Sequence, residues 1–165
     1  MCRTESRDVA ISMVNRGMAS KTLHEVFEAM SPTARYMRYL AASPRLTTAM
    51  VRVLSDVDGS RHAVWRATCG DRTVGLVRLH DDREGAPELA VEVVDDHHGR
   101  GIGKALVATA LRHAAKQGAR SVQVLVHPDN MRAIRLFRSV GASFVFRSGL
   151  LEGVVPATTY TTVAA

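Results

Sequence analysis

The stretch from Val93 to Gly118, "VVDDHHGRGIGKALVATALRHAAKQG", decides how the rest of the chain is read. Gly99, Gly101 and Gly103 alternate with other residues. Glycine then disappears from an alanine-rich run that reads as a helix to Lys116, with Gly118 as its stop. A helix N-terminus offers unpaired N–H donors and a partial positive charge, so it favours an anion. Glycines just before it let a phosphate approach the backbone without striking a Cβ. A plain strand-to-helix turn is satisfied by one glycine, and this spacing points instead to an anion site. Two familiar phosphate loops fail on the count. A nucleoside-triphosphate loop needs G-x-x-x-x-G-K-[ST], but His98 stands where the first glycine belongs and Ala105 follows Lys104. A dinucleotide fingerprint needs G-x-G-x-x-G, and the spacing here is G-x-G-x-G, after a meander of strands.

Upstream, "RHAVWRATC" (61–69) and "TVGLVRLH" (73–80) read as strands joined at "GDR", and "ELAVEVV" (88–94) follows the turn "DDREGAP". Before them come helical patterns. "KTLHEVFEAM" is capped by Ser20, "SPTARYMRYL" has Ser31 as N-cap and Pro32 at its first position, and "TTAMVRVLSD" forms a short third helix. Downstream, "SVQVLVH" (121–127) is a strand with Val122, Val124 and Val126 on one face. "PDN" then opens the helix "MRAIRLFRSV", whose apolar side is Ala133, Ile134, Phe137 and Val140. "SFVFRS" and "PATTYTTV" (156–163) read as final strands. The order gives an α/β fold with a mixed sheet, as one domain over 1–165. Residues 1–18 are the poorly defined part, with a short strand in "DVAISMV".

The chain has 165 residues, 46% hydrophobic and 23% charged, which is the balance of a globular domain with a real core. Its net charge is +6, but the positive residues are scattered arginines and aromatics make up only 5%. That pattern argues against a nucleic-acid partner and suits attraction of a small polyanion, such as a phosphorylated cofactor. The apolar runs fall short of a membrane span, and the N-terminus lacks the apolar centre of a secretion signal, so a cytoplasmic location is expected. Cys2 and Cys69 are too few for a disulfide framework or a thiolate metal site. "DDHH" (95–98) has no third histidine at helical spacing nearby, so no metal is expected.

Two motifs in this order, "HHGRGIGKAL" and "NMRAIRLFRSVGA", make residues 62–144 resemble the GNAT family of acetyl-CoA-dependent N-acyltransferases. The first is similar to the family's pyrophosphate motif, Q/R-x-x-G-x-G/A. The second is similar to its Asn-led helix. The opening "HEVFEAMSPTARYMRYL" also resembles bacterial protein-lysine acetyltransferases of the Pat type. The resemblance implies a mostly antiparallel mixed sheet flanked by helices, with splayed strands forming the acyl-CoA cleft. It places the pyrophosphate of acetyl-CoA on the backbone of His98, Gly99, Arg100, Gly101, Ile102, Gly103 and Lys104. Val91, Glu92 and Val93 would pair with the pantetheine arm, and Asn130 would contact it. The sequence departs from the family at three places. His98 replaces the usual Gln or Arg, and Gly141–Ala142 replaces a Gly-Phe pair, with Phe144 available for the apolar place. Phe137 stands at the cofactor where many members carry a tyrosine that protonates the leaving thiolate, and phenylalanine has no proton to give.

Acyl transfer to an amine requires that the ammonium first lose a proton. Read alone, Glu88 is a solvated strand-end carboxylate; by its place in the resemblance it is the general base. The Val93 N–H is the expected donor to the thioester oxygen. His127 is a reserve for proton transfer. Arg132, Arg135 and Arg138 recur at a spacing of three on one helix, which usually marks a solvated face and less often supplies a salt bridge to the cofactor's 3′-phosphate. The expected activity is N-acetyl transfer by direct attack, on a protein lysine or on a small amine of the aminoglycoside type. Phe137 keeps open a second reading, a non-catalytic acyl-CoA-binding module. The resemblance leaves the oligomeric state open, a homodimer paired through the final strands being one option.

Overall fold

The computed structural model describes residues 9–41 and 45–160. Cys2 and the end of "PATTYTTV" lie outside them. In chain order the elements are β1 (Val9–Met13), α1 (Arg16–Ala29), α2 (Pro32–Tyr39), α3 (Thr48–Leu54), β2 (His62–Cys69), β3 (Arg72–His80) and β4 (Glu88–Val93). They continue with α4 (Ile102–Lys116), β5 (Ser121–Val126), α5 (Met131–Arg138), β6 (Ser143–Arg147) and β7 (Leu150–Pro156).

Four helices start where a side chain satisfies an orphan amide. Asn15 accepts from Met18 N, Ser31 from Ala34 N, Thr47 from Met50 N and Asn130 from Ala133 N. The first of these differs from the sequence reading. Asn15, not Ser20, caps α1, because Ala19 already belongs to the buried stripe with Leu23, Val26 and Phe27. The last strand differs too. Pro156 ends β7 instead of beginning a strand, and a short 3₁₀ turn follows at Thr158–Tyr160. The run "LLEGVV" hides its strand character behind Gly153. A Cβ there would lie 2.6 Å from both the Phe144 ring and Val124, so the glycine permits close packing and does not break the strand.

The seven strands form one sheet in the order β1-β2-β3-β4-β5-β7-β6. All neighbours are antiparallel except β4 and β5. Helix α4 buries Leu106, Val107, Ala110, Leu111 and Ala114 in the core, and α1 contributes Leu23 and Val26. Both helices pack on β3, which is buried along almost its whole length. That burial fixes β3 as the floor on which the neighbouring β4 is displayed.

Candidate active site

The parallel pair at the centre of the sheet barely holds. β4 and β5 share one register position, Glu88 opposite Gln123, supported by the Gln123 amide donating to the Pro87 carbonyl at 2.7 Å. Beyond it the strands part, and a cleft of about 1410 Å³ opens at the gap. Its walls include β4, the first residues of α4, α5, and Ser31, Ala34, Met37 and Arg38 from the α2 segment.

The phase of the β3–β4 ladder decides which backbone groups face this cleft. Hydrogen bonds of an antiparallel pair alternate from residue to residue. The Val94 amide donates to the Val74 carbonyl at 3.0 Å, and Gly75 lies opposite Val93. Even-numbered residues of β4 therefore bond to β3, and the backbones of Leu89, Val91 and Val93 turn toward β5 and the gap. Glu92 lines the cleft too, but it is held differently from its odd-numbered neighbours. Its backbone bonds to β3, and its side chain is wholly buried in an ion cluster. The Val93 carbonyl is already engaged, because His98 Nε2 donates to it at 2.7 Å.

His98 is itself held from two sides. A carbonyl can only accept, so Nε2 carries the hydrogen, and Nδ1 accepts from Arg132 Nη1 at 2.6 Å. Gly99 and Gly101 have φ of +75° and +78°, the left-handed region, and a Cβ on either would meet nothing within 4 Å. The turn thus requires glycine at both positions and leaves open space over them. Gly103 is different: a Cβ there would press on Leu136 at 3.2 Å. Ile102 is buried, Lys104 is exposed, and an Arg100 Nη donates to the Asp96 carbonyl at 3.0 Å. Unlike α1, α2, α3 and α5, α4 has no side chain capping its start at Gly101. Its first amides therefore face the cleft mouth as free donors for an anion.

Asp95, in the turn between β4 and the glycines, ties this loop to α2. The Ser31 amide and hydroxyl donate to its two oxygens at 2.8 and 3.0 Å. Partial burial alone would raise the Asp95 pKa, but these hydrogen bonds outweigh it and hold the carboxyl below its ordinary range. Asn130 lines the cleft while its Oδ1 caps α5, and Phe137 is buried in the same wall. Arg132 and Arg135 also line the cleft, and Arg138 does not. His127 pairs with α2: its Nδ1 accepts from the Asp129 amide, and its Nε2 lies 3.3 Å from the Tyr36 hydroxyl. Among the described residues no group of three or more His, Cys, Asp or Glu side chains is placed to hold a metal ion.

Glu88 is exposed at the start of β4 and lines the cleft. Two clusters beside it were not read from the sequence. In one, Arg38 Nε donates to Glu92 Oε1 at 2.9 Å, Arg78 Nη1 lies 3.8 Å from the same oxygen, and the Tyr39 hydroxyl donates to it at 3.4 Å. Burial first and the Glu92 charge second push the Tyr39 phenol far above its ordinary value, so it stays a neutral donor. In the other, His62, His80 and Glu88 stand in register across β2, β3 and β4. The only sequence signal for either cluster was an arginine and two histidines inside otherwise apolar strand runs.

Comparison with known proteins places the chain in a family and a fold. Residues 20–142 match the acetyltransferase (GNAT) family. The chain is 31% identical to the acetyltransferase Pat of Mycolicibacterium smegmatis over 133 residues, covering 78% of this chain and 39% of that protein. It is 38% identical to the mycothiol acetyltransferase of Actinosynnema mirum over 91 residues, covering 53% of this chain and 29% of that protein. The chain thus spans well under half the length of these curated relatives. Its fold is similar to the GNAT domain of S. lividans PAT, with a TM-score of 0.81 at 23% identity over 90% of both chains.

Proposed function

The chain belongs to the acetyltransferase (GNAT) family, and from that membership we propose that it moves the acetyl group of acetyl-CoA to a primary amine. The observation that carries this reading is the single-bridge parting of β4 from β5, with an uncapped helix N-terminus at its mouth. A strand edge exposed inside a sheet suits an extended amide-bearing arm, and open amides suit a diphosphate. In this reading the pyrophosphate lies on the backbone from His98 to Lys104, with the open space over Gly99 and Gly101 admitting it. Val91 and Val93 present the backbone groups that meet the pantetheine, and Asn130 and Phe137 line the opposite wall. Since His98 occupies the Val93 carbonyl, the group left at that residue is the N–H, which is the donor suited to the thioester oxygen as charge develops.

Glu88 is the group that takes the proton of the acceptor ammonium. The freed amine attacks the thioester carbon, the C–N bond forms and the C–S bond breaks. Phe137 offers no proton, so the thiolate leaves unassisted or with a proton from water. A protein lysine is the favoured acceptor, from the similarity to a relative named for Pat across 78% of this chain. A small amine is the second reading, favoured by the similarity to mycothiol acetyltransferase.

Calorimetric titration with acetyl-CoA, with ATP and NAD as controls, tests the cofactor assignment, and selective micromolar binding is expected. A screen of amines with wild type and Glu88→Gln then tests the chemistry. Loss of the base should lower kcat by about 10²–10⁴-fold with acetyl-CoA binding unchanged. Binding with no transfer to any amine would favour a non-catalytic acyl-CoA-binding module instead.

A further inference from the structure

We propose that His80 works with Glu88 as a second proton acceptor, held in place by the buried ring of His62. The inference rests on the acetyl-transfer reading and adds to it a residue that neither the family motifs nor the site assignments include. Three adjacent strands bring these side chains to one level. His62 of β2 is the direct partner of His80 of β3, and His80 is the direct partner of Glu88 of β4. Direct antiparallel partners have Cβ atoms about 4.5–5.5 Å apart on one face of the sheet. All three residues line the cleft.

His62 behaves as a fixed support. Its ring is 8% exposed and meets the His80 ring edge to face, with centroids 5.1 Å apart and planes at 88°. Its Nδ1 lies 2.8 Å from the Asp56 carbonyl, so that nitrogen bears the hydrogen, and its Nε2 is bare and buried without a partner. Burial also pushes the His62 pKa down, which keeps this ring neutral. His80 is exposed and remains the imidazole of the pair that can exchange a proton with solvent. The charged groups around the two rings are Glu88 from β4, Arg78 on the same face of β3, and Asp58 from the loop before β2.

The chemistry has a use for such a residue. A carboxylate is a weak base for an ammonium, and an imidazole is ordinarily about two pKa units stronger. The ammonium gives one proton to the Glu88–His80 pair, the imidazolium releases it to solvent, and the nitrogen lone pair becomes the new C–N bond as the thiolate leaves.

Imidazole NMR on the full chain is the first test, comparing wild type with Glu88→Gln. The ring resonances of His80 should move when the carboxylate is removed while those of His113 stay in place, and unmoved His80 resonances overturn the pairing. The second test is kinetic, with a lysine peptide and spermidine as amine probes. His80→Gln should lower kcat/KM about 10–100-fold and remove the imidazole limb of the pH profile, with KM for acetyl-CoA unchanged. Added imidazole should partly restore His80→Ala. Acetyl-CoA binding with no transfer to either amine overturns the inference together with the reading beneath it. Transfer that His80→Gln leaves unchanged overturns this inference alone.

Discussion

A guanidinium sunk in an apolar strand is costly, and Arg78 shows what the chain sets against that cost. It is 5% exposed, and the carboxylate paired with it among the described residues, Glu92, is shared with Arg38. Replacing Glu92 by leucine leaves two positive groups without their counter-charge, and should cost about 3–5 kcal/mol in denaturant unfolding. The Arg78→Met, Glu92→Leu double variant should cost less than the sum of the two single changes, and additivity would refute the coupling. His62 makes a pH prediction of definite sign. Its folded pKa is depressed, mainly by burial, while the unfolded chain binds the proton near about 6.5. The stability it contributes is present above that value and is lost as pH falls through the folded pKa. Urea midpoints between pH 8 and pH 5 should therefore fall more steeply for wild type than for His62→Gln.

At the scale of elements, α2 is the telling case, since none of its residues is buried and it is held by specific bonds instead. Ser31 caps α2 and also donates twice to Asp95. Ser31→Ala should cost about 1 kcal/mol through the cap alone. Because Asp95 leads into the glycine loop, the same change should weaken acetyl-CoA binding measured by calorimetry, whereas Thr47→Ala, a cap away from the loop, should not. The Ser31-Pro32 start and the Asn130 cap were legible because each is a local signal. The start of α1 was not, because Asn15 and Ser20 are both good caps and only burial of Ala19 decides between them. β7 was missed because Gly153 reads as a breaker until the Phe144 ring lies against it. The Arg78–Glu92 and His80–Glu88 pairs depend on strand register, which no local pattern carries. The burial of the Glu92 side chain was hidden for the same reason: alternation along β4 was visible, and its phase against β3 was not.

For the molecule as a whole, a ligand that binds only the folded state stabilises it in proportion to the logarithm of its concentration over Kd. Acetyl-CoA at 100 times its Kd should add about 2.7 kcal/mol, or roughly 5–10 °C in Tm for a chain of this size. ATP and NAD should leave Tm where it was, and an equal rise with either would refute selectivity. The fold class was readable from element order, while the gap that gives it a use was implied by resemblance and becomes visible in the single Glu88–Gln123 register position. That position has a mechanical meaning as well. The sheet is two plates, one of β1 to β4 and one of β5 to β7, joined edge to edge by one rivet. Within the sheet itself a load drawn across the join meets that rivet and not a row of them, with the packing of α4 on both plates as its backing, so the line along which the protein opens to a guest is also the weakest seam of its sheet.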